Sequence, residues 1–469
     1  MEGYDYDAAA RTINIIDITT NESNRYILRK LKENDAYFDK LWVTDSRDDE
    51  YDYFPESVHE MGWIGYFIGK NTTLKDLILH SNPFEDVDNN AIEPFYRGIN
   101  SNRSIQKIRF YNTDLSGGEI FQNQRPFFEN NNNLSDLVVV ECEFGAGCAR
   151  QLSLALRGCN SSLKHVKLSN NQMGDEPLAE IIEAVSLHSQ LEKLELWRMN
   201  IGRKEYSALA NLLLMTSELR ALNLCNTGFD DEGMEALVGA LANSSLISLD
   251  LSDNRAITSR GCQSVAALLE NPNSNLERLY LANNNIGNEG ALIFANAMAS
   301  NRQLKSLDLY HNAITAEGWS VFSKVLCDTS SVNKTSLSNH ALGSLGVDLN
   351  IPADVASLLA LNRSSNDKTQ VAIRKILKYH DHFDMQPFFV WDLKVLPLIV
   401  AWFERARSIV EDNDSDYDDS DGEDDEDNDD AGIGKQKLGA IYQFIRAMPE
   451  VFEPSPGARG EKRKWSAGT

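Results

Sequence analysis

Long apolar runs, cysteine pairs, positive charge and catalytic motifs are all scarce in this 469-residue chain, and each scarcity removes a class of function. The longest apolar run, Val395-Leu-Pro-Leu-Ile-Val-Ala-Trp-Phe403, covers less than half a membrane span, so the chain reads as soluble and away from membranes. The six cysteines, at 142, 148, 159, 225, 262 and 327, contain no Cys-x-x-Cys. They read as free thiols in a reducing compartment. The start, Met-Glu-Gly-Tyr-Asp, lacks the basic residues and apolar stretch of a secretory signal. Cytoplasm is therefore expected, with the short Lys462-Arg-Lys464 leaving nuclear entry open. Lysine and arginine number 45 against 70 aspartates and glutamates, and a net charge of −25 repels phosphate at long range. Nucleic acid is not an expected partner.

Chemistry is equally sparse. Gly145-Ala-Gly147 lacks the third glycine of a dinucleotide loop, and Gly69-Lys70-Asn-Thr lacks the upstream glycine of a phosphate loop. Tyr379-His380-Asp381-His382-Phe-Asp384 gathers histidines and aspartates, but two histidines two residues apart lack the helical spacing of a zinc pair. A loop or packing role is expected there. No catalytic residue, cofactor or metal site is assigned, and the chain reads as a non-enzyme.

What is present is one phrase written repeatedly: apolar-x-x-apolar-x-apolar-x-x-(Asn, Thr or Cys)-x-apolar. It opens at Phe38, Leu74, Ile105, Leu134, Leu163, Leu191, Leu219, Leu246, Leu276, Leu304 and Val332, and after the first step the spacing stays between 27 and 31 residues. A fixed period of this length predicts a solenoid. Positions 4 and 6, such as Leu194 and Leu196, share one face of a short strand, and the second half of each unit has apolar residues at helical spacing. No unit can bury its apolar face alone, so neighbours stack around a shared core. Position 9 is Asn at 82, 171, 254, 284 and 312, where a buried amide can satisfy turn backbone. Met199 breaks that rule, which predicts an altered turn with Asn200 compensating.

On these residues, best seen in Leu276-Glu-Arg-Leu279-Tyr-Leu281-Ala-Asn-Asn284-Asn-Ile286, the chain resembles the leucine-rich repeat family and its ribonuclease-inhibitor-like branch. The resemblance implies an α/β solenoid, or horseshoe, with a concave parallel sheet, outer helices and helical caps at both ends. The stretch from His382 to Phe389 and from Lys394 to Arg407 is similar to a cap found in ribonuclease-inhibitor-like proteins of microalgae, and this transfers no activity. The architecture also resembles the repeat portion of cytosolic innate-immune receptors.

The expected organisation is a helical cap over 1–37, with a helix across 22–35; about eleven repeats over 38–345; a helical cap over 346–410; an acidic loop over 411–433; and a docked helix with a basic tail over 434–469. The first unit carries an acidic insertion, Asp48-Asp-Glu-Tyr-Asp-Tyr53, expected to loop out. Glu411 to Asp430 holds 14 acidic residues, whose removal would bring the net charge to −11, and such a segment cannot fold alone. Ser415 and Ser420 within it suit an acid-directed kinase.

Positions 3, 5 and 7 point away from the core, in rows along the sheet. Among them Arg109, Tyr111, Lys167, Trp197, Asp250, Tyr280, Asp308 and Tyr310, with the adjoining Arg198, form the expected partner-binding surface, since exposed aromatics and arginines make binding hot spots. The leading expectation is a non-enzymatic interaction or sensing scaffold, monomeric, gripping a protein. The alternative rests on the resemblance of a repeat solenoid with an acidic segment to the activator of the Ran GTPase.

Overall fold

The computed structural model describes residues 4–45, 52–81, 89–116, 119–145, 147–171, 173, 178–347 and 350–380. The acidic loop with Ser415 and Ser420, the helices expected beyond 390, Asp381 to Asp384, and Asn82 all lie outside the described residues. Ten strands follow the repeat: β1 (Lys40–Thr44), β2 (Asp76–His80), β3 (Lys107–Tyr111), β4 (Asp136–Val140), β5 (His165–Ser169), β6 (Lys193–Glu195), β7 (Ala221–Asn223), β8 (Ser248–Asp250), β9 (Arg278–Tyr280) and β10 (Ser306–Asp308). They form one parallel sheet in chain order. Its register places position 4 against position 4 throughout, as in Leu194 opposite Leu222.

The first helices are α1 (Tyr6–Ala9), α2 (Ile15–Ile18) and α3 (Glu22–Glu33), the last being the helix expected over 22–35. Those between strands are α4 (Val58–Lys70), α5 (Asn89–Ser101), α6 (Glu119–Asn130), α7 (Cys148–Arg157), α8 (Leu178–Val185), α9 (Arg203–Met215), α10 (Asp231–Leu241), α11 (Ser259–Glu270) and α12 (Gly287–Met298). After β10 come α13 (Ala316–Leu326), α14 (Val332–Ser336), α15 (Ala353–Arg363) and α16 (Lys368–Tyr379). The chain divides into two compact units: Met1–Ala297 with Gln303–Gly318 and Ser344–Leu349, and Met298–Arg302 with Trp319–Gly343 and Asn350–Thr469.

In the first unit, the core is built from strand positions 4 and 6 and the inward faces of the helices. Leu194, Leu196, Leu222, Leu224, Leu279 and Leu281 are all buried. After each strand from β2 onward the chain turns through a residue in the left-handed region, from Ser81 and Asn112 to Asn283 and His311. Beneath that turn runs a ladder of buried amides. Asn254 Nδ2 donates to the carbonyls of Leu224 (2.9 Å) and Leu251 (3.0 Å), while its Oδ1 accepts from Thr227 N (2.9 Å) and Phe229 N (3.0 Å). Asn284 and Asn312 repeat the pattern. Met199 departs from it without the expected distortion. Arg198 keeps the left-handed turn at φ 55°, Met199 N reaches the Leu196 carbonyl at 3.1 Å, and Asn200 is exposed rather than compensating. The αL residue and the strand register carry the turn; the amide adds bonds beneath it.

Two further expectations are corrected. The insertion does not simply loop out: Tyr53 is fully buried and extends the sheet past β1, with Tyr53 N on the Trp42 carbonyl (3.0 Å) and Thr44 N on the Tyr53 carbonyl (3.1 Å). An edge strand has unpaired backbone groups, and this segment satisfies them. The eleventh strand expected at Val332 is instead α14, capped by Ser331, so Ser336 and Ser338 are not on the sheet. Thr335 stands where an apolar residue should, which removes the driving force for a strand there. The sheet continues at Ser344, paired in parallel with Ser306, so the last repeat opens at Leu342.

Helices α4 and α5 meet backbone to backbone. A Cβ on Gly98 would lie 1.8 Å from the Gly65 carbonyl oxygen, and one on Gly65 would lie 2.4 Å from Phe95 Cα.

In the second unit, Asn339 binds the carbonyls of Met298 (2.8 Å) and Asn301 (2.9 Å), and Thr335 Oγ1 meets His380 Nε2 at 2.8 Å. That contact gives His380 a packing role. Lys375 is fully buried, and its ammonium donates to the carbonyls of Leu326 (2.6 Å) and Asn339 (3.1 Å). Burial pushes its pKa down to about 7. An unfolded lysine holds its proton to about pH 10.4, so between about 7 and 10.4 the unfolded state binds more protons and stability rises with pH, levelling off below 7. Wild type should therefore gain a few kcal/mol relative to Lys375→Met from pH 7 to 10, at roughly 1.4 kcal/mol per pKa unit. Urea unfolding at stepped pH reads it; a flat difference would mean the amine titrates normally.

Candidate partner-binding face

The sheet face opposite the helices is built by positions 3, 5 and 7. Its two halves differ. Over β1 to β5 the strands have five residues each, and over β6 to β10 three. In three of the short ones, a position-5 side chain accepts the backbone N–H of position 7: Asn223 from Cys225 (2.9 Å), Asp250 from Ser252 (3.0 Å) and Asp308 from Tyr310 (3.0 Å). A short polar side chain thus takes a donor that would otherwise extend the ladder.

At the first half, Tyr111 stacks on Trp42 at 6.2 Å and 18°, and His80 meets Trp42 edge-on at 5.9 Å. Ile78, between Trp42 and Arg109 in the register, is fully buried, and Val138 and Val140 are nearly so. The expectation that positions 5 and 7 are solvent-facing fails for these three, because large neighbours cover them. Arg109 lies 3.0 Å from Asp76, although Nε and Oδ1 do not align as a hydrogen bond. Burial raises the Asp76 pKa despite Arg109, Lys40 and Lys107.

Across β3 to β6 the charges close on one another. His165 bridges Glu195 (3.1 Å) and Asp136 (3.5 Å), Lys167 reaches Glu195 at 3.4 Å, Lys193 joins the same carboxylate, and Lys107 approaches Asp136 at 3.7 Å. Hydrogen bonding from His165, helped by Lys193 and Lys167, holds Glu195 far below the usual carboxylate range against its burial. The same two carboxylates raise the His165 pKa. Lys167 is thus tied into a network, whereas Arg198 is exposed, packs over Trp197 at 4.5 Å, and has no ion pair among the described residues.

Over β8 to β10 the face is acidic and aromatic. Asp250 is pushed up by burial, with Asp253 and Asp308 adding repulsion. Tyr280, between Asp250 and Asp308 in the register, is half-buried; Tyr310 is exposed against His311 at 4.0 Å. Burial and the neighbouring Asp250 and Asp253 push the Cys225 thiol up to about 12, which makes it a poor nucleophile. The expected site residues therefore fall into three groups along one face: Arg109 and Tyr111; Lys167, Trp197 and Arg198; and Asp250, Tyr280, Asp308 and Tyr310. The bridging role of His165, Asp136 and Glu195 escaped the sequence reading, although opposite charges at facing positions of adjacent units would have signalled it.

The sequence pattern of the family described as Leucine Rich repeat matches residues 159–179, 242–266, 273–295 and 300–323. The chain has the leucine-rich repeat fold. It is ribonuclease-inhibitor-like, being 30% identical to the mouse ribonuclease inhibitor over 193 residues, which cover 40% of this chain and 42% of that protein. To the human NACHT, LRR and PYD domains-containing protein 13 it is 31% identical over 224 residues, 46% of this chain and 21% of that one. The chain thus spans less than half the length of these relatives. Among solved structures, an internalin of Listeria monocytogenes aligns with 66% of this chain and 95% of its own at 16% identity and a TM-score of 0.35. The reading as a GTPase activator gains no support from these relatives.

Proposed function

We propose that this leucine-rich repeat protein is a non-enzymatic interaction scaffold that holds a protein partner on the open face of its sheet. The observation that carries the reading is the contrast along one strand. Positions 4 and 6 are fully buried, while Tyr280 at position 5 and Trp197 and Tyr310 at position 7 stay partly or wholly exposed beside charged groups. Aromatic rings with a nearby arginine, set in a partly desolvated surface, make contacts worth about 2 kcal/mol or more each. Arg198, stacked on Trp197 and without a carboxylate, is the residue most ready to take one from a partner. All six cysteines are free, which supports a reducing, cytoplasmic setting.

The test is affinity capture from native extract with wild type beside a Trp197→Ala, Tyr280→Ala, Tyr310→Ala variant of equal melting temperature. The expected result is loss of the bound protein from the variant alone, with a purified partner binding at least about 100-fold more weakly. An unchanged set of captured proteins would remove this face as the site.

A further inference from the structure

A second surface stands apart from the sheet face, on the amino-terminal helices of the first unit. Helices α2 and α3 border a cleft of about 300 Å³, whose walls include Ile16, Glu22, Arg25, Tyr26 and Arg29. The inward faces of these helices are already satisfied by Ile15, Ile18, Ile27, Leu28 and Leu31, all buried. Ile16, at 57% exposure, and Tyr26, at 42%, are apolar surface in excess of what the cap needs. Lone exposed apolar residues are ordinary, but two on the walls of one cleft invite a common occupant.

The charges of the cleft set its preference. Arg29 is exposed and has no ion pair among the described residues. Arg25 reaches Glu22 only at 3.6 Å, with the Glu22 side chain 94% exposed, and donates to the Thr20 carbonyl at 3.2 Å, leaving its buried Nε unmatched. The Lys30 ammonium lies 5.3 Å over the Tyr26 ring and is paired with Asp35, so it adds no free charge. In a chain of net charge −25, this is a locally cationic cleft with apolar walls.

We propose that the cleft docks a short acidic peptide of a partner protein, with one branched or aromatic side chain between Ile16 and Tyr26 and a carboxylate on Arg29 and Arg25. Bidentate guanidinium–carboxylate contact would give orientation, and apolar burial would give affinity. An anionic membrane is the less suitable occupant, since the apolar side chains line a concavity instead of protruding into a bilayer. The proposal does not depend on the sheet face.

The test pans a displayed library of short random peptides against the full chain. It repeats the selection with Ile16→Asp and with Arg29→Glu, both exposed positions whose exchange leaves the core untouched. The expected result is enrichment of an Asp or Glu within a few residues of an apolar side chain. A synthetic peptide of that consensus, read by fluorescence polarisation, should bind either variant at least about tenfold more weakly while Trp197→Ala binds it as wild type does. A basic consensus, no consensus, or equal binding to the variants overturns the proposal. So does binding to phosphatidylserine vesicles that the same variants abolish when no peptide is enriched.

Discussion

Replacing Asn254 with Leu should destabilise the chain by about 3–6 kcal/mol, lowering the urea midpoint and splitting a single transition into two. The substitution keeps the branched side-chain skeleton and is no smaller, so the loss comes from polar groups and not from a cavity. Asn254 is almost fully buried, and its amide serves five backbone groups on two adjacent turns: the carbonyls of Leu224, Leu251 and Ser252 and the N–H groups of Thr227 and Phe229. Leucine would leave these groups without that partner in a region water does not reach, at about 1–3 kcal/mol for each that finds no substitute. Because a solenoid is stabilised chiefly between neighbours, the damage should centre on β7 to β9 and uncouple the flanking repeats. Hydrogen exchange would show protection lost there first. A drop below about 1 kcal/mol would mean that the ladder is as dispensable as the Met199 turn suggests in isolation.

Gly98→Ala should be strongly destabilising, by about 3 kcal/mol, where helix propensity alone would favour it by about 1 kcal/mol. The signs oppose, so the experiment decides between them. A methyl at Gly98 would sit 1.8 Å from the Gly65 carbonyl oxygen, and backbone cannot swing aside as a side chain can. Helices α4 and α5 would have to part, opening the packing around the buried Trp63, Phe67 and Phe95. Gly239→Ala is the control. Nothing lies within 4 Å of its added methyl, so there the propensity gain should appear undiminished in thermal unfolding.

The first ten turns were legible because each writes its own strand: two apolar residues at alternate positions, a helical stretch, and a period that leaves little room for slippage. The eleventh was misplaced because the chain takes a longer step, from Leu304 to Leu342, and a period-based reading stops at the expected distance, on Val332. A second signal would have corrected it. Asn71, Asn102 and Asn301 precede Leu74, Ile105 and Leu304 by three residues, and Asn339 precedes Leu342 by the same step. In three of these units the Asn side chain accepts the N–H groups that open the strand, as Asn71 does from Leu74, Asn102 from Ile105 and Asn339 from Leu342. The left-handed turn was not legible, since Ser81, Glu141, Arg198 and His311 share no chemistry beyond tolerating their place.

For the sheet face, the residues were legible as a row but not by their availability. Lys167 and Arg109 look alike in sequence to Arg198, yet the first two face carboxylates across neighbouring strands while the last turns out on a ring. That distinction depends on the register between units, which no single repeat encodes. Asp250 likewise gives one oxygen to the Ser252 N–H and the other to the Asn223 amide, and Asp308 accepts the Tyr310 N–H.

The segment at Tyr53 and the one at Ser344 to Leu345 occupy the two margins of the sheet, the former on β1 and the latter on β10. Tyr53 comes from sequence outside the repeat phrase, so the margin on β1 is no template for another copy of the unit, whereas Leu342-Gly-Ser-Leu345 begins the phrase again at the other margin. A gene encoding this chain could gain or lose a repeat by duplication at any step past the Tyr53 margin, and a new turn inserted there would inherit matching neighbours. The length of the array is thus open to evolutionary change, and the margin at Tyr53 is not.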